Sequence, residues 1–224
     1  MNVKLISWSQ PPADLAAQGI DNAQELIAYA ARVSNPSNQL NTETSEKLIR
    51  YLVKHGHWSP LEMVSACLEI ETTRDIARQI LRHRSFSFQE FSQRYANPDQ
   101  DFDEMFEKRE ARLQCLKNRQ NSIAVEDGEM ERDWYRIQSR VEWMASREYR
   151  RAIKMGIAKE QARALLPEGL TKSRLYMNGT LRSWVHYIDL RSGNGTQKEH
   201  MLVARECANV LQPIFPMMEE FVND

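Results

Sequence analysis

Between residues 64 and 71 apolar and polar positions alternate strictly. Val64, Ala66, Leu68 and Ile70 interleave with Ser65, Cys67, Glu69 and Glu71, the period-two pattern of a half-buried strand. Thr72 followed three residues later by Asp75 reads as a capping box, which predicts a helix from about Thr73 to about Arg84. Ile76, Ala77, Ile80 and Leu81 then share one face, while Arg78, Gln79 and Arg82 share the other, with His83 at its edge. Arg84 falls among the apolar positions, where a permanent charge needs a partner or must reach past the helix end. Beyond it, the alternation of Glu90, Ser92 and Arg94 predicts an extended segment with an acceptor, a hydroxyl and a cation on one side.

The same reading extends to both ends of the chain. Asn2 to Trp8 alternates as a first strand, and Asp21 to Val33 carries Leu26, Ile27, Ala30 and Val33 at helical spacing. Ser45 to Lys54 predicts a second helix with Leu48, Tyr51 and Leu52 inward, closed by Gly56 and stopped by Pro60. From about 100 to 155 the pattern predicts two long amphipathic helices. Phe106, Leu113, Leu116 and Ile123 mark the first, and Trp134, Ile137, Val141 and Met144 the second, with a break at Asp127-Gly128. Lys159 to Leu166 reads as a helix ended by Pro167-Glu168-Gly169. Leu181, Trp184, Val185 and Ile188 form the stripe of a further helix, whose N-terminus near Asn178 to Thr180 would offer free N–H groups to an anion. A last helix spans Gln197 to Leu211, before Pro213 and Pro216.

A length of 224 residues with 42% hydrophobic content is one substantial domain, and a formal charge of -1 gives no general affinity for polyanions. No apolar run is long enough to span a membrane. Met1 to Ser9 lacks the basic start and apolar block of a signal peptide, so cytoplasmic residence is the expectation. Cys67, Cys115 and Cys207 are odd in number and widely spaced, which indicates neither a disulfide framework nor a cysteine zinc site. His55 and His57 are two apart, yet no carboxylate or cysteine lies nearby at a ligand spacing, so no metal is expected.

The chemistry concentrates in Arg82-His83-Arg84, seven further residues, and then Ser92-Gln93-Arg94-Tyr95. Clustered arginines are commonly solvated or ion-paired surface charges. Here the fixed spacing of low-frequency residue types resembles the signature of the flavin-dependent thymidylate synthases. His55-Gly56-His57-Trp58-Ser59-Pro60 is similar to that family's flavin-contacting loop, and Arg163-Ala164-Leu165-Leu166-Pro167 resembles a second motif, whose arginine reaches the nucleotide. The helix ending at Arg191 is similar to one that brings an Asn or His to flavin and an Arg to the pyrimidine. Thr180 stands where several members have Asn, with Asn178 further upstream.

The resemblance implies an α+β fold, an antiparallel sheet flanked by helices, in a single domain over 1–224 with a variable helical insertion around 100–155. It implies reductive methylation of dUMP to dTMP, with carbon from methylenetetrahydrofolate and hydride from FAD recharged by NADPH. His57, Ser59, Arg82, His83, Arg84, Glu90, Asn178, Arg182 and His186 are then expected at FAD. Gln79, Arg82, Glu90, Ser92, Gln93, Arg94, Arg163 and Arg191 are expected at dUMP. Arg191, Ser92 and His57 would be closest to the chemistry, with Arg191 stabilising an N3 anion; no cysteine nucleophile is required. The family is homotetrameric, with sites shared between subunits.

Other readings stay open on sequence grounds. A variant of the same fold would methylate or hydroxymethylate another pyrimidine nucleotide. A nucleic-acid-binding module would use Arg78, Arg82, Arg84 and Arg94 on phosphates and Phe86, Phe88 and Tyr95 on bases, against the near-neutral charge. A His-dependent metallohydrolase is the third, and it lacks a ligand set. Neither nucleic acid nor membrane is expected as a partner.

Overall fold

The computed structural model describes residues 1–223. Its centre is a four-stranded sheet of β1 (Asn2–Trp8), β2 (Ser65–Thr73), β3 (Ser87–Glu90) and β6 (Lys172–Thr180), in the order β1-β2-β6-β3 with every pairing antiparallel. Period two decides its faces. Ala66, Leu68 and Ile70 on β2 and Leu175 and Met177 on β6 are buried on one face, whereas Tyr176 and Asn178 point outward.

Helices α2 (Ala23–Ala31), α3 (Ser45–Lys54), α4 (Arg74–Ile80), α8 (Leu181–Arg191) and α9 (Lys198–Leu211) cover the apolar face. Ile27, Ile49, Ile76, Ile80, Trp184, Ile188, Val203 and Leu211 join the strand side chains in one core. The α+β class is as expected. So are the strands at 2–8 and 65–73 and the helices at 45–54, 181–191 and 198–211.

Four local expectations are corrected. Helix α4 ends at Ile80, so Arg84 lies in a turn rather than among apolar helix positions, which removes the apparent misfit. Its N-cap is Thr73, with no side-chain cap; Thr73 Oγ1 instead donates to Asp75 Oδ1 at 2.7 Å. Tyr51 is exposed and rests on the His55 ring, 4.1 Å between centroids, while Ile49 and Leu52 face inward. Strand β6, the sheet's second interior strand, lies where the sequence had suggested only the approach to a helix.

The 100–155 region is corrected most. Two four-residue helices, α1 (Ala13–Ala16) and α5 (Pro98–Asp101), precede it. Phe106 bridges Thr171 at the sheet margin, and Leu113 opposes Ile123 across the hairpin of β4 (Arg112–Gln114) and β5 (Ser122–Ala124). Only one long helix follows, α6 (Gly128–Lys154), and Asp127 is its N-cap, accepting from Glu129 N at 2.8 Å. The body-facing side of α6 is held by Gln138, which accepts from Arg109 N and donates to Arg109 O, both at 2.8 Å. A short α7 (Lys159–Ala162) runs into a 3-10 turn at Arg163–Leu165 before β6. No helix among the described residues is long and apolar enough to cross a membrane.

Candidate functional site

The Arg82-His83-Arg84 stretch is made by two successive turns at the end of α4. His83 N donates to Ile80 O at 3.0 Å, and Phe86 N donates to His83 O at 3.3 Å. Phe86 anchors them, 9% exposed and edge-on to Trp184 at 4.8 Å, while Ser183 Oγ donates to Ser85 O at 3.2 Å. This docking on α8 brings His83 to Arg191, whose Nε donates to His83 Nε2 at 3.1 Å.

Arginine has no acceptor, so His83 Nε2 must be the unprotonated nitrogen and Nδ1 carries the hydrogen. Burial, then the charges of Arg191 and Arg82, pull the His83 pKa down to about 4, which keeps the ring neutral at pH 7. Arg82, Arg84 and Arg191 enter no ion pair among the described residues, unlike Arg94, which pairs with Glu160 at 3.7 Å, and Arg182, which pairs with Glu62. Arg191 bonds the neutral imidazole and Arg82 acts on it through its charge, while Arg84 follows it in the chain; none of the three has a carboxylate partner among the described residues.

Gln79 borders this group through α9. Its Nε2 donates to Gln197 Oε1 at 2.7 Å, and its Oε1 faces His200 Nδ1 at 3.2 Å. Phe86 is unavailable for stacking on bases, because Trp184 and Tyr187 enclose it.

A second group gathers at β3 and the loop beyond it. Glu90 Oε1 accepts from Ser173 Oγ at 2.8 Å and lies 3.8 Å from Arg74. Strand β3 stops at Glu90, so Ser92 and Arg94 sit in a turn rather than in the expected extended segment. The Ser92 carbonyl accepts from the amides of Tyr95 and Ala96 at 3.0 and 2.9 Å, leaving its hydroxyl without a bond in the chain. Arg163 joins Arg94 at the same acidic residue, its Nε donating to Glu160 O at 3.3 Å. Gln93 turns inward, 2% exposed, and its Nε2 has no partner.

The third group is the loop before β2. His57 and Ser59 are exposed, and Trp58 lies against His186 with ring centroids 4.3 Å apart. Burial and then the Arg182 charge lower the His186 pKa. Glu62, which the sequence had not singled out, pairs with Arg182. Asn178 is set apart on the outer sheet face, in register with Cys67 and Ser87.

Thr180 caps α8, its Oγ1 accepting from Ser183 N at 3.3 Å, and Leu181 N donates to Val64 O at 2.8 Å. The α8 N-terminus therefore spends two of its amides internally and is not the open anion site its sequence suggested. A cavity of about 1090 Å³ lies between residues 99–108 and α6, and none of the sequence-assigned site residues lines it. Among the described residues no cluster of three or more His, Cys, Asp or Glu is placed to hold a metal.

Residues 16–217 match the family described as thymidylate synthase complementing protein. The chain is 45% identical over 216 residues to a probable flavin-dependent thymidylate synthase of Paramecium bursaria Chlorella virus 1, covering 96% of each. It is 45% identical over 217 residues to the flavin-dependent thymidylate synthase of Synechocystis, again covering 96% of each. Among solved structures, a UMP/dUMP methylase from Streptomyces cacaoi bound with 5-Br dUMP superposes with a TM-score of 0.77 at 24% identity. That superposition covers 98% of this chain and 93% of the other, a likeness of fold.

Proposed function

Since this chain belongs to the thymidylate synthase complementing protein family and is an enzyme of the flavin-dependent thymidylate synthase type, we propose that it methylates dUMP to dTMP. Methylenetetrahydrofolate is the carbon donor, and FAD reduced by NADPH is the hydride source. The observation that carries the reading is neutral His83 bonded by Arg191 and beside the charge of Arg82, with no carboxylate pairing either arginine among the described residues.

Uracil C5 is a weak nucleophile, and an enzyme raises its reactivity either by adding a thiolate at C6 or by stabilising charge on the ring. Cys207 is buried, and its thiol pKa is pushed up strongly by burial, while Cys67 is raised by the same cause. Neither is a ready thiolate. Arg191 serves the second route: His83 engages its Nε and leaves the two terminal amino groups to face the anion developing along N3 and its neighbouring carbonyl oxygen. Gln79 reads the imide edge, and Ser92, Glu90, Arg94 and Arg163 orient the sugar and phosphate.

The donor set also fits a flavin nucleotide. Arg82 and Arg84 are exposed, unpaired cations suited to a pyrophosphate, with His83 Nδ1–H, His57, Ser59 and His186 as further polar contacts. When bound, FAD supplies the hydride that reduces the transferred one-carbon unit to a methyl group. Arg182, already neutralised by Glu62, contributes less charge than its sequence position suggested.

We place these groups in sites shared between subunits of a homotetramer, which accounts for three open clusters on a single chain. The test is dTMP formation from dUMP, methylenetetrahydrofolate and NADPH, with and without added FAD. Product that depends on FAD is expected. Absence of product with dUMP but turnover with UMP would replace the substrate, and absence of both with flavin bound would overturn the reading.

A further inference from the structure

A chain of half-buried and buried polar groups runs away from Gln79 into α9 and the β4–β5 hairpin, and its hydrogen bonds can point in only one direction. Its outer end is Glu199, a carboxylate that can only accept, held by the Arg112 guanidinium. Gln197 Nε2 donates to Glu199 Oε2 at 2.9 Å, so the Gln197 amide must present its oxygen to Gln79. Gln79 Nε2 donates to that oxygen at 2.7 Å, which turns Gln79 Oε1 toward His200 Nδ1 at 3.2 Å. His200 Nδ1 must then carry the hydrogen and Nε2 must accept, from Tyr187 Oη at 3.1 Å. Flipping either amide would set two oxygens or two N–H groups against each other, so the charge on Glu199 dictates the orientation of every later member.

The surroundings keep the chain in this state. His200 is 0% exposed, and burial with the nearby Arg191 and His83 lowers its pKa to about 3, so the ring stays neutral. Tyr187 is also buried, with its pKa raised well above the ordinary phenol value, and it remains a donor. An amide has two N–H groups and two lone pairs; the internal bonds use one of each and leave one of each for a ligand.

We propose that His200, with Gln197 and Glu199, is a positioning group that fixes which edge of the Gln79 amide meets the pyrimidine. The inference rests on the assignment of Gln79 to dUMP. It places three residues outside the recognised motifs in the service of substrate recognition, and it ties the nucleotide site to Arg112 on β4. With the amide held, the donor and acceptor of the uracil imide meet their complements at no reorganisation cost; with it free to flip, half of the orientations oppose the ligand.

The variants are H200L, which removes both bonds, H200N, which keeps a donor near the Nδ1 position, and E199Q, which keeps shape but erases the direction. H200L and E199Q are expected to raise KM for dUMP about tenfold while kcat changes less than about threefold and bound flavin is unchanged, and H200N is expected to recover most of the loss. A KM for dUMP in H200L within about twofold of the parent overturns the proposal. So does a joint fall of kcat, flavin content and folding stability, which would mark His200 as packing alone.

A second readout needs no turnover. The ¹⁵N shifts of His200 in the parent protein should report the neutral Nδ1–H form from pH 5 to 8; the Nε2–H form would refute the chain's direction. Calorimetry of dUMP binding to the parent separates the two levels, because no binding there with the Nδ1–H form intact would sink the substrate reading and leave the hydrogen-bond chain standing.

Discussion

His83 and His200 are held neutral where an unfolded chain would charge them, and stability acquires a direction with pH from that difference. Their folded values lie at about 4 and about 3, below the ordinary 6.5. Between those limits the unfolded chain binds more protons than the folded one, so stability is fullest above pH 6.5 and falls as pH drops through the window. The urea midpoint should therefore decline from pH 7 to pH 4.5. Replacing His200 with Leu should make the decline shallower by up to about 1.4 kcal/mol per pH unit, the share of one proton. An unchanged slope would mean that His200 is already charged in the native state. Arg191→Ala is the sharper functional test at this scale. The side chain meets His83 through Nε alone, so its loss should leave bound flavin near the parent level while methylation falls at least a hundredfold, about 3 kcal/mol. Absorbance of the bound flavin and dTMP yield, measured on one preparation, distinguish this from an equal loss of both.

Elements were legible in the sequence where many side chains repeated the same period, and hidden where few did. Helix α8 shows Leu181, Trp184, Val185 and Ile188 at helical spacing, and all four are buried. Strand β6 has only Leu175 and Met177 to carry its alternation. Its other inward positions are Ser173 and Gly179, and its charged Lys172 and Arg174 look like solvent. The hairpin at 112–124 borrowed apolar residues that happened to fit a helical count, although Leu113 and Ile123 face each other across strands. The site divided in the same way: Arg82, His83, Arg84 and Arg191 stood out by motif, whereas Glu62, Gln197, Glu199, His200 and Arg112 acquire roles only through contacts made in space. Gly179 shows how tightly strand and motif turn are joined. A Cβ there would stand 2.4 and 2.6 Å from ring atoms of Phe86, the residue that seats the motif turn on Trp184. Gly179→Ala should thus cost about 1–3 kcal/mol in denaturant unfolding and, by displacing Phe86, shift the Arg82-His83-Arg84 turn, seen as weaker flavin retention. A neutral substitution would show that Phe86 can move freely.

At the scale of the whole molecule, α6 is a 27-residue helix with two distinct seams. Gln138, Ala145 and Tyr149 face the body, and beside them Met130, Trp134, Ile137, Val141 and Met144 recur at alternating intervals of four and three while remaining 43%, 37%, 51%, 43% and 57% exposed. That 3.5-residue period suits a helix partner rather than a globular core. An apolar stripe of this length is unusual on a surface that faces water. Under the proposed homotetramer a second copy of the chain would cover it, with antiparallel pairing setting Trp134 against Met144 and Ile137 against Val141 and bringing Asp133 near Arg147 of the other helix. In that proposal, sites shared across subunits would make assembly and cofactor retention one property. Ile137→Glu combined with Val141→Glu buries two charges per helix at the centre of the seam, a penalty of several kcal/mol per pair. Light scattering should then show a smaller assembly at micromolar concentration, and flavin content should fall with it although no flavin-contacting residue has changed. An unchanged assembly would leave the stripe without this partner. A smaller assembly that keeps its flavin would place the cofactor site within one chain and remove the need for shared sites.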